Sequence, residues 1–444
     1  MPYLESNTEE KNLGLELFYT STPGIKGRLK KTPDDFIVTE RSIKVEPISD
    51  SALATRDPSL ALYTYAHVKS RNWETNRLLQ ELSKQLGIRQ DKISFAGTKD
   101  KRAVTTQLMS FEAPAENVKA INLEEVEVFG IVVSPRVLKI GDLFGNDFEI
   151  VITDLELSEN ELRENISATE EHLAKLNGYP NFFGVQRFGV IRPVTKDIGK
   201  LIIQKRFEDA IWFYIAHPIN GEPKKDFETR AEFERCWDFE WAIRNYPRHL
   251  NFERILISYL IAHPEDYIGA LDRLPKNLAI MFIHAYQSYL FNQILSARIR
   301  EGLPLNEPVE GDIILPVDDY NLPVHKTWIP VTEQNYQKLT KQCRKGKAFV
   351  SGVLYGNESI FAENEPGELE RKVIEKEGIT HDDFIISNLP KISSKGSRRE
   401  LLAPVHNFGF EVRDNIVKMQ FGLIKGAYAT TMLREYMKTE IRNY

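Results

Sequence analysis

Apolar and polar positions along the chain switch between two periods, and the switches mark out its elements. Between 27 and 40 a Pro33-Asp34-Asp35 turn opens a strand with Phe36 and Val38 on one face, Ile37 and Thr39 on the other. Residues 60–68 carry a second strand pattern. From 72 the period becomes helical: Leu78, Leu79, Leu82 and Leu86 share a stripe, with Asn72 a candidate cap and Gly87 a candidate stop. Residues 93–111 then predict a strand, a tight turn and a second strand, and a more polar segment runs on to about 142. A further strand opens at Gly145, placing Phe148, Ile150 and Ile152 on one face. Ser158 and Glu161 form a capping-box signature for a helix striped by Leu162, Ile166, Leu173 and Leu176 and ended by Gly178 and Pro180.

The second half is less regular. Residues 181–189 are aromatic and polar without a clean period, as at a site or a domain junction, and 278–300 is the strongest helix pattern. Residues 304–330 are proline-rich and loop-like, 348–355 predict a strand and 363–377 a charged surface helix. The basic stretch 391–399 is expected to be mobile unless a polyanion orders it. Alternation over 408–412 and 417–421 about Asp414-Asn415 signals a hairpin, and 423–436 a turn into a final helix. The opening, to about Gly24, is weakly structured by pattern. Strands at both ends around a helical middle predict an α+β chain: a mixed-sheet domain from 1–180 and 405–444, interrupted by an insertion over 181–404.

Composition changes this picture little. The chain has 444 residues, 42% hydrophobic and 27% charged, enough for two or three domains with a sizeable core. Its two cysteines, Cys236 and Cys343, fit a reducing compartment and cannot by themselves build a thiolate zinc site. No apolar run approaches the ~18 residues of a membrane helix, and the acidic, polar start does not read as a signal peptide, so a soluble, cytoplasmic protein is expected. A net charge of −6 argues mildly against nucleic-acid binding. Four basic clusters stand against that total, at 26–31, 99–102, 341–347 and 391–399. Such clusters are commonly solvated faces, and only convergence in space gives them a function.

One stretch holds candidate chemistry, the turn Gly97-Thr98-Lys99-Asp100-Lys101-Arg102. Asp100 sits among three cations, which favour an ionised carboxylate. A nucleophile, a metal ligand and a plain solvated hairpin tip all fit that pattern. Neither a phosphate-cradling GxxxxGK[ST] nor an HExxH occurs.

Six segments stand in order along the chain: Lys30 with Pro33-x-Asp35-Phe36-x-Val38-x-Glu40; Gly97-x-Lys99-Asp100-x-x-Ala103-x-Thr105-x-Gln107; Gly145-Asn146-x-Phe148; Asn181-x-Phe183-Gly184-x-Gln186-Arg187-Phe188-Gly189; His284 through Asn292; and Gly426-x-Tyr428-Ala429-Thr430 with Leu433-Arg434-Glu435. Together they span nearly the whole chain and resemble the TruD family of tRNA pseudouridine synthases, at a length nearer its archaeal and eukaryotic members. The resemblance implies a pseudouridine-synthase-like catalytic domain carrying an inserted α/β TRUD domain. It implies tRNA as partner, a D-arm uridine (typically position thirteen) as target, and no metal, nucleotide or redox cofactor. It makes Asp100 the catalytic residue and places Asn146, Phe148, Phe36 and Glu40 around it, with Lys30 as an RNA contact. Lys99 and Arg102 are further candidates for ion pairing or phosphate contact, and Arg187 fits a phosphate contact and a structural ion pair equally well. Phe148 and Phe36 are expected to stack on an extruded base, worth ~1–3 kcal/mol per base, although aromatics in alternating strands are usually core. The rival readings are a non-catalytic RNA-binding or RNA-folding protein and a metal-dependent nuclease built on Asp100, Glu40 and Lys99. The sequence fixes no oligomeric state.

Overall fold

The computed structural model describes residues 3–49 and 62–444; the first two positions of the 60–68 strand pattern lie outside them. In chain order the main sheet takes β1 (Phe36–Ser42), β2 (Tyr63–Arg71), β3 (Ile93–Phe95), β4 (Val104–Phe111), β5 (Val126–Ser134), β6 (Leu143–Ile152), β7 (Val405–Arg413) and β8 (Ile416–Ile424). Across the sheet the order is β7-β8-β6-β1-β4-β2-β5, with β3 paired to β4. Only β1 and β4 run parallel among these pairs, so the sheet is mixed. Its two C-terminal strands attach to β6, and both chain ends therefore build one sheet. The β7–β8 turn takes its shape from Asp414 and Asn415, both at positive φ, as a two-residue hairpin that matches strand twist requires.

Helices cover the sheet face that carries Phe36, Val38, Phe148, Ile150, Met419 and Phe421, all buried. Helix α1 (Thr75–Leu86) buries the predicted leucine stripe and ends on Gly87 at φ +65, but its cap is Glu74. Asn72 is not the cap: the Glu74 carboxylate accepts from the amides of Asn76 and Arg77. Helix α2 (Glu159–Leu176) starts on the predicted Ser158–Glu161 capping box and ends on Asn177 in the left-handed region, one residue before Gly178.

The chain leaves this body through strand Tyr179–Pro180 and returns through Leu402–Ala403, and those two strands pair with each other. Between them lie a helical layer and a four-stranded antiparallel sheet ordered Ile329–Pro330, Ile313–Pro316, Ala348–Leu354, Ser397–Glu400. Helix α3 (Lys276–Arg300) separates two cores, sending Phe291 and Leu295 into one and Phe282, Ile283 and Tyr286 into the other. A helix apolar all round is one buried on both sides.

Four expectations are corrected. The polar stretch after 111 contains β5, an edge strand whose half-exposed pattern hides its alternation. The proline-rich 304–330 stretch contributes two strands of the smaller sheet. The opening residues are ordered, with Leu13, Leu15, Leu17 and Ile25 buried. The 391–399 segment is not mobile: Arg398 is fully buried, and its guanidinium pairs with Glu370 at 2.6 Å, on what was expected to be a surface helix.

Candidate active site

Strand β4 changes partner along its length. Over 104–106 it pairs with β1, and over 109–111 with β3, which leaves Leu108 facing a gap. The chain departs after Phe95 and re-enters the sheet at Val104, so 96–103 is an eight-residue excursion beside that gap and not a tight turn. Glu40 of β1 fills the gap. Its carboxylate accepts the Leu108 amide at 3.3 Å and the Ser42 hydroxyl at 2.8 Å, and it pairs with Lys99 Nζ at 2.5 Å. Both side chains of that pair are nearly inaccessible, at 0% and 6% exposed. The Lys99 amide donates to the hydroxyl of Thr75, the first residue of α1, at 3.1 Å. The loop is thereby tied to a strand through its side chain and to a helix through its backbone.

Asp100, the next residue, remains open, with 46% of its side chain exposed and Oδ2 accepting from Lys30 Nζ at 2.6 Å. Lys30 adopts φ +55, a conformation uncommon outside glycine. Its ammonium lies 4.2 Å from the Phe36 ring centroid, a cation–π contact that desolvates one side of the charge. Arg102 Nη2 donates to the Lys31 carbonyl at 2.7 Å. Two of the four basic clusters, 26–31 and 99–102, therefore converge. Glu40 and Asp100 each pair with a lysine of their own.

Asn146 and Phe148 stand on β6 opposite Glu40 and Val38 of β1. Asn146 Oδ1 and Gln107 Oε1 are buried without a hydrogen-bond donor, a condition folded proteins keep rare. Phe36 and Phe148 are 2% and 8% exposed. Phe148 meets the Phe36 edge at 6.1 Å and stacks on Phe421 at 5.3 Å. The expected stacking of a base on these rings finds no open face here; they form the floor beneath Lys30. Arg187 is placed elsewhere, its Nε donating to Ser288 of α3 at 3.2 Å. There it adds to the burial that lowers the His284 pKa below its usual value. Among the described residues, no hydrogen bond, ion pair or ring contact joins Arg187 to the Asp100 loop.

Sequence reasoning missed Arg41. Its guanidinium crosses Gly145 to donate to the Leu423 carbonyl at 2.9 Å. A Cβ on Gly145 would lie 2.0 Å from that carbonyl and 2.7 Å from the guanidinium, which explains why the Gly-Asn-x-Phe segment opens on glycine. The signal available was adjacency, since Arg41 directly follows Glu40. The tail residues Arg434 and Glu435 pair with each other at 3.8 Å, and Arg434 donates to the Leu17 carbonyl of the Leu17–Phe18 strand at 2.9 Å; Arg434 also pairs with Glu10 at 2.6 Å, and Glu435 accepts the amides of Tyr19 and Thr20.

Comparison with known proteins identifies the class first. A crystal structure assigned to tRNA pseudouridine synthase D (TruD) from Methanosarcina mazei matches with a TM-score of 0.84 at 38% identity, covering 99% of this chain and 100% of that one. The fold is thus that of a pseudouridine synthase. Curated relatives named "Probable tRNA pseudouridine synthase D" are 38% identical in Methanococcoides burtonii, with 97% of each chain covered, and 39% identical in Methanosarcina barkeri, with 97% of this chain and 98% of the relative covered. The family model described as tRNA pseudouridine synthase D (TruD) matches residues 12–436, and the chain belongs to that family.

Proposed function

We propose that the chain converts one uridine of tRNA, in the D-arm, to pseudouridine with Asp100 as the catalytic carboxylate. Family membership makes it a tRNA pseudouridine synthase, an isomerase. The observation that carries the role of Asp100 is the contrast within one loop: Lys99 is buried and fixed on Glu40, while Asp100 beside it is exposed and held by a single lysine.

The reaction breaks the C1′–N1 bond, turns the uracil and joins C5 to C1′; the proton lost from C5 is matched by the one gained at N1. A charged carboxylate at the ribose serves either route, attack at C1′ or abstraction of a ribose proton. Lys30 and Arg102 bring positive charge to a site that must accept a phosphodiester backbone, while Lys99, buried on Glu40, holds the loop. The donorless Asn146 Oδ1 suits a uracil N–H. Glu40, Phe36 and Phe148 support the loop and its floor, and Arg187 acts at the junction with the insertion. The paired strands Tyr179–Pro180 and Leu402–Ala403 support limits of 1–180 with 405–444 for the sheet body and 181–404 for the insertion. No helix among the described residues is long and apolar enough to cross a membrane, in keeping with a cytoplasmic site of action.

Replacing Asp100 with alanine is expected to abolish pseudouridine formation on an unmodified tRNA transcript while its Kd for that transcript stays within a few-fold of wild type. Turnover by the Asp100→Ala chain removes Asp100 from the mechanism.

A further inference from the structure

A cavity of about 420 Å³ opens where the sheet body meets the insertion. Its wall takes Arg41 and Phe144 from the sheet body, and Tyr320, Lys345 and Lys347 from the insertion. Three facts set it apart. Arg41, Lys345, Lys347 and His406 line it without a carboxylate among the described residues, in a chain of net charge −6. Tyr320 is 67% exposed yet lies against Phe144, the ring centroids 4.8 Å apart and tilted by 41°. Arg41 Nε is buried without a hydrogen bond, its nearest carboxylate oxygen, on Asp147, 3.7 Å away. The neighbouring cavity beyond the Phe144–Tyr320 pair carries Glu46, Asp142 and Asp318 and lacks this one-sided charge.

Neither Asp100 nor Lys30 lines the cavity. Phe36, beneath Lys30, and Arg41 are five residues apart on β1, roughly 16 Å at strand rise. The ligand that fits combines a planar, π-faced group with negative charge, a few nucleotides from the reacting uridine. We propose that this cavity receives an unpaired nucleotide of the substrate RNA other than the one isomerised, its base against Tyr320 and Phe144 and its phosphates on Arg41, Lys345 and Lys347. The exposed aromatic supplies sequence-tolerant stacking and the basic rim tracks the backbone, the combination found in single-strand grooves. The inference rests on the tRNA-modifying reading above.

Tyr320 and the two lysines are surface groups whose removal leaves both cores intact. The test measures the Kd of the full chain for an unmodified tRNA transcript over a range of salt, alongside pseudouridine formation. Tyr320→Ala is expected to raise Kd roughly tenfold. Lys345→Ala with Lys347→Ala is expected to raise Kd and to flatten the slope of log K against log salt by about 1.4, for two single-strand phosphate contacts. A Tyr320→Ala Kd within twofold of wild type overturns the proposal, and so does an unchanged slope in the double variant. Saturable binding of free uridine monophosphate that is lost in Tyr320→Ala, with tRNA affinity intact, assigns the cavity to a free nucleotide and overturns it equally. Intact tRNA binding without any pseudouridine formation by wild type sinks the reaction reading alone, because the Kd measurements still report on the cavity.

Discussion

Glu40 acts as a piece of sheet made from a side chain. Where β4 loses β1 and has not yet met β3, the Leu108 amide would face no strand carbonyl, and Glu40 Oε1 accepts it instead. The other carboxylate oxygen pairs with Lys99, so one residue closes the gap and anchors the loop that presents Asp100. Removing one partner of a buried ion pair leaves an uncompensated charge, at about 3–5 kcal/mol. Glu40→Gln keeps the shape and strands the Lys99 ammonium. Its kcat on tRNA is expected to fall ten- to a hundredfold with KM changed by less than threefold, because loop position is altered while the RNA-facing groups remain. The double variant Glu40→Gln with Lys99→Met should recover thermal stability without recovering kcat, a non-additivity that contacting residues show. Recovery of both would reduce the pair to a purely structural one.

At the scale of elements, legibility followed periodicity. The leucines of α1, the capping box of α2 and the β7–β8 hairpin were readable because one face of each meets a core and local chemistry ends each. β5 and the short strands at 313–316 and 329–330 were not readable, because edge position and length leave them too little alternation. In the site, Asp100, Lys99 and Glu40 were visible as a set, but their division of labour was not: burial separates an anchoring lysine from an open carboxylate, and sequence does not record burial. The same holds for the Ser397–Glu400 strand. A run of lysine and arginine reads as solvent-facing, yet Arg398 lies inside, bonded to Glu370, to the Ser351 hydroxyl and to two carbonyls. Arg398→Ala is therefore expected to destabilise the fold by about 3–5 kcal/mol, and Arg398→Met with Glu370→Leu to restore most of that loss. tRNA affinity of the folded double variant should match wild type; a weakened Kd with altered salt dependence would return this segment to the RNA surface.

Across the whole molecule, the chain's two ends are fastened to each other. Helix α4 (Ala429–Met437) is buried throughout. Its Arg434 pairs with Glu10, its Glu435 accepts the amides of Tyr19 and Thr20, and Lys26 donates to the Lys438 carbonyl that follows it. Lys438 itself is buried, donating to the Thr20 and Thr22 hydroxyls with its ammonium over the Phe18 ring. Burial pushes its pKa down from 10.5 to about 8; nearby Glu435 opposes that, and Arg434 and Lys26 add to it. Between those two values the unfolded chain binds more protons than the folded one, so stability rises with pH across the window. Below about 8 both states hold the proton and the full cost of a buried ammonium is present; above 10.5 neither does. A shift of this size corresponds to about 3 kcal/mol. Denaturant unfolding of the wild type followed from pH 7.5 to 10.5 is expected to gain about that much relative to Lys438→Met, which keeps the stem in place and has no proton to lose. Parallel stability curves for the two chains would mean that Lys438 keeps its charge inside the clasp, with the Thr20, Thr22 and Glu435 oxygens solvating it as well as water does.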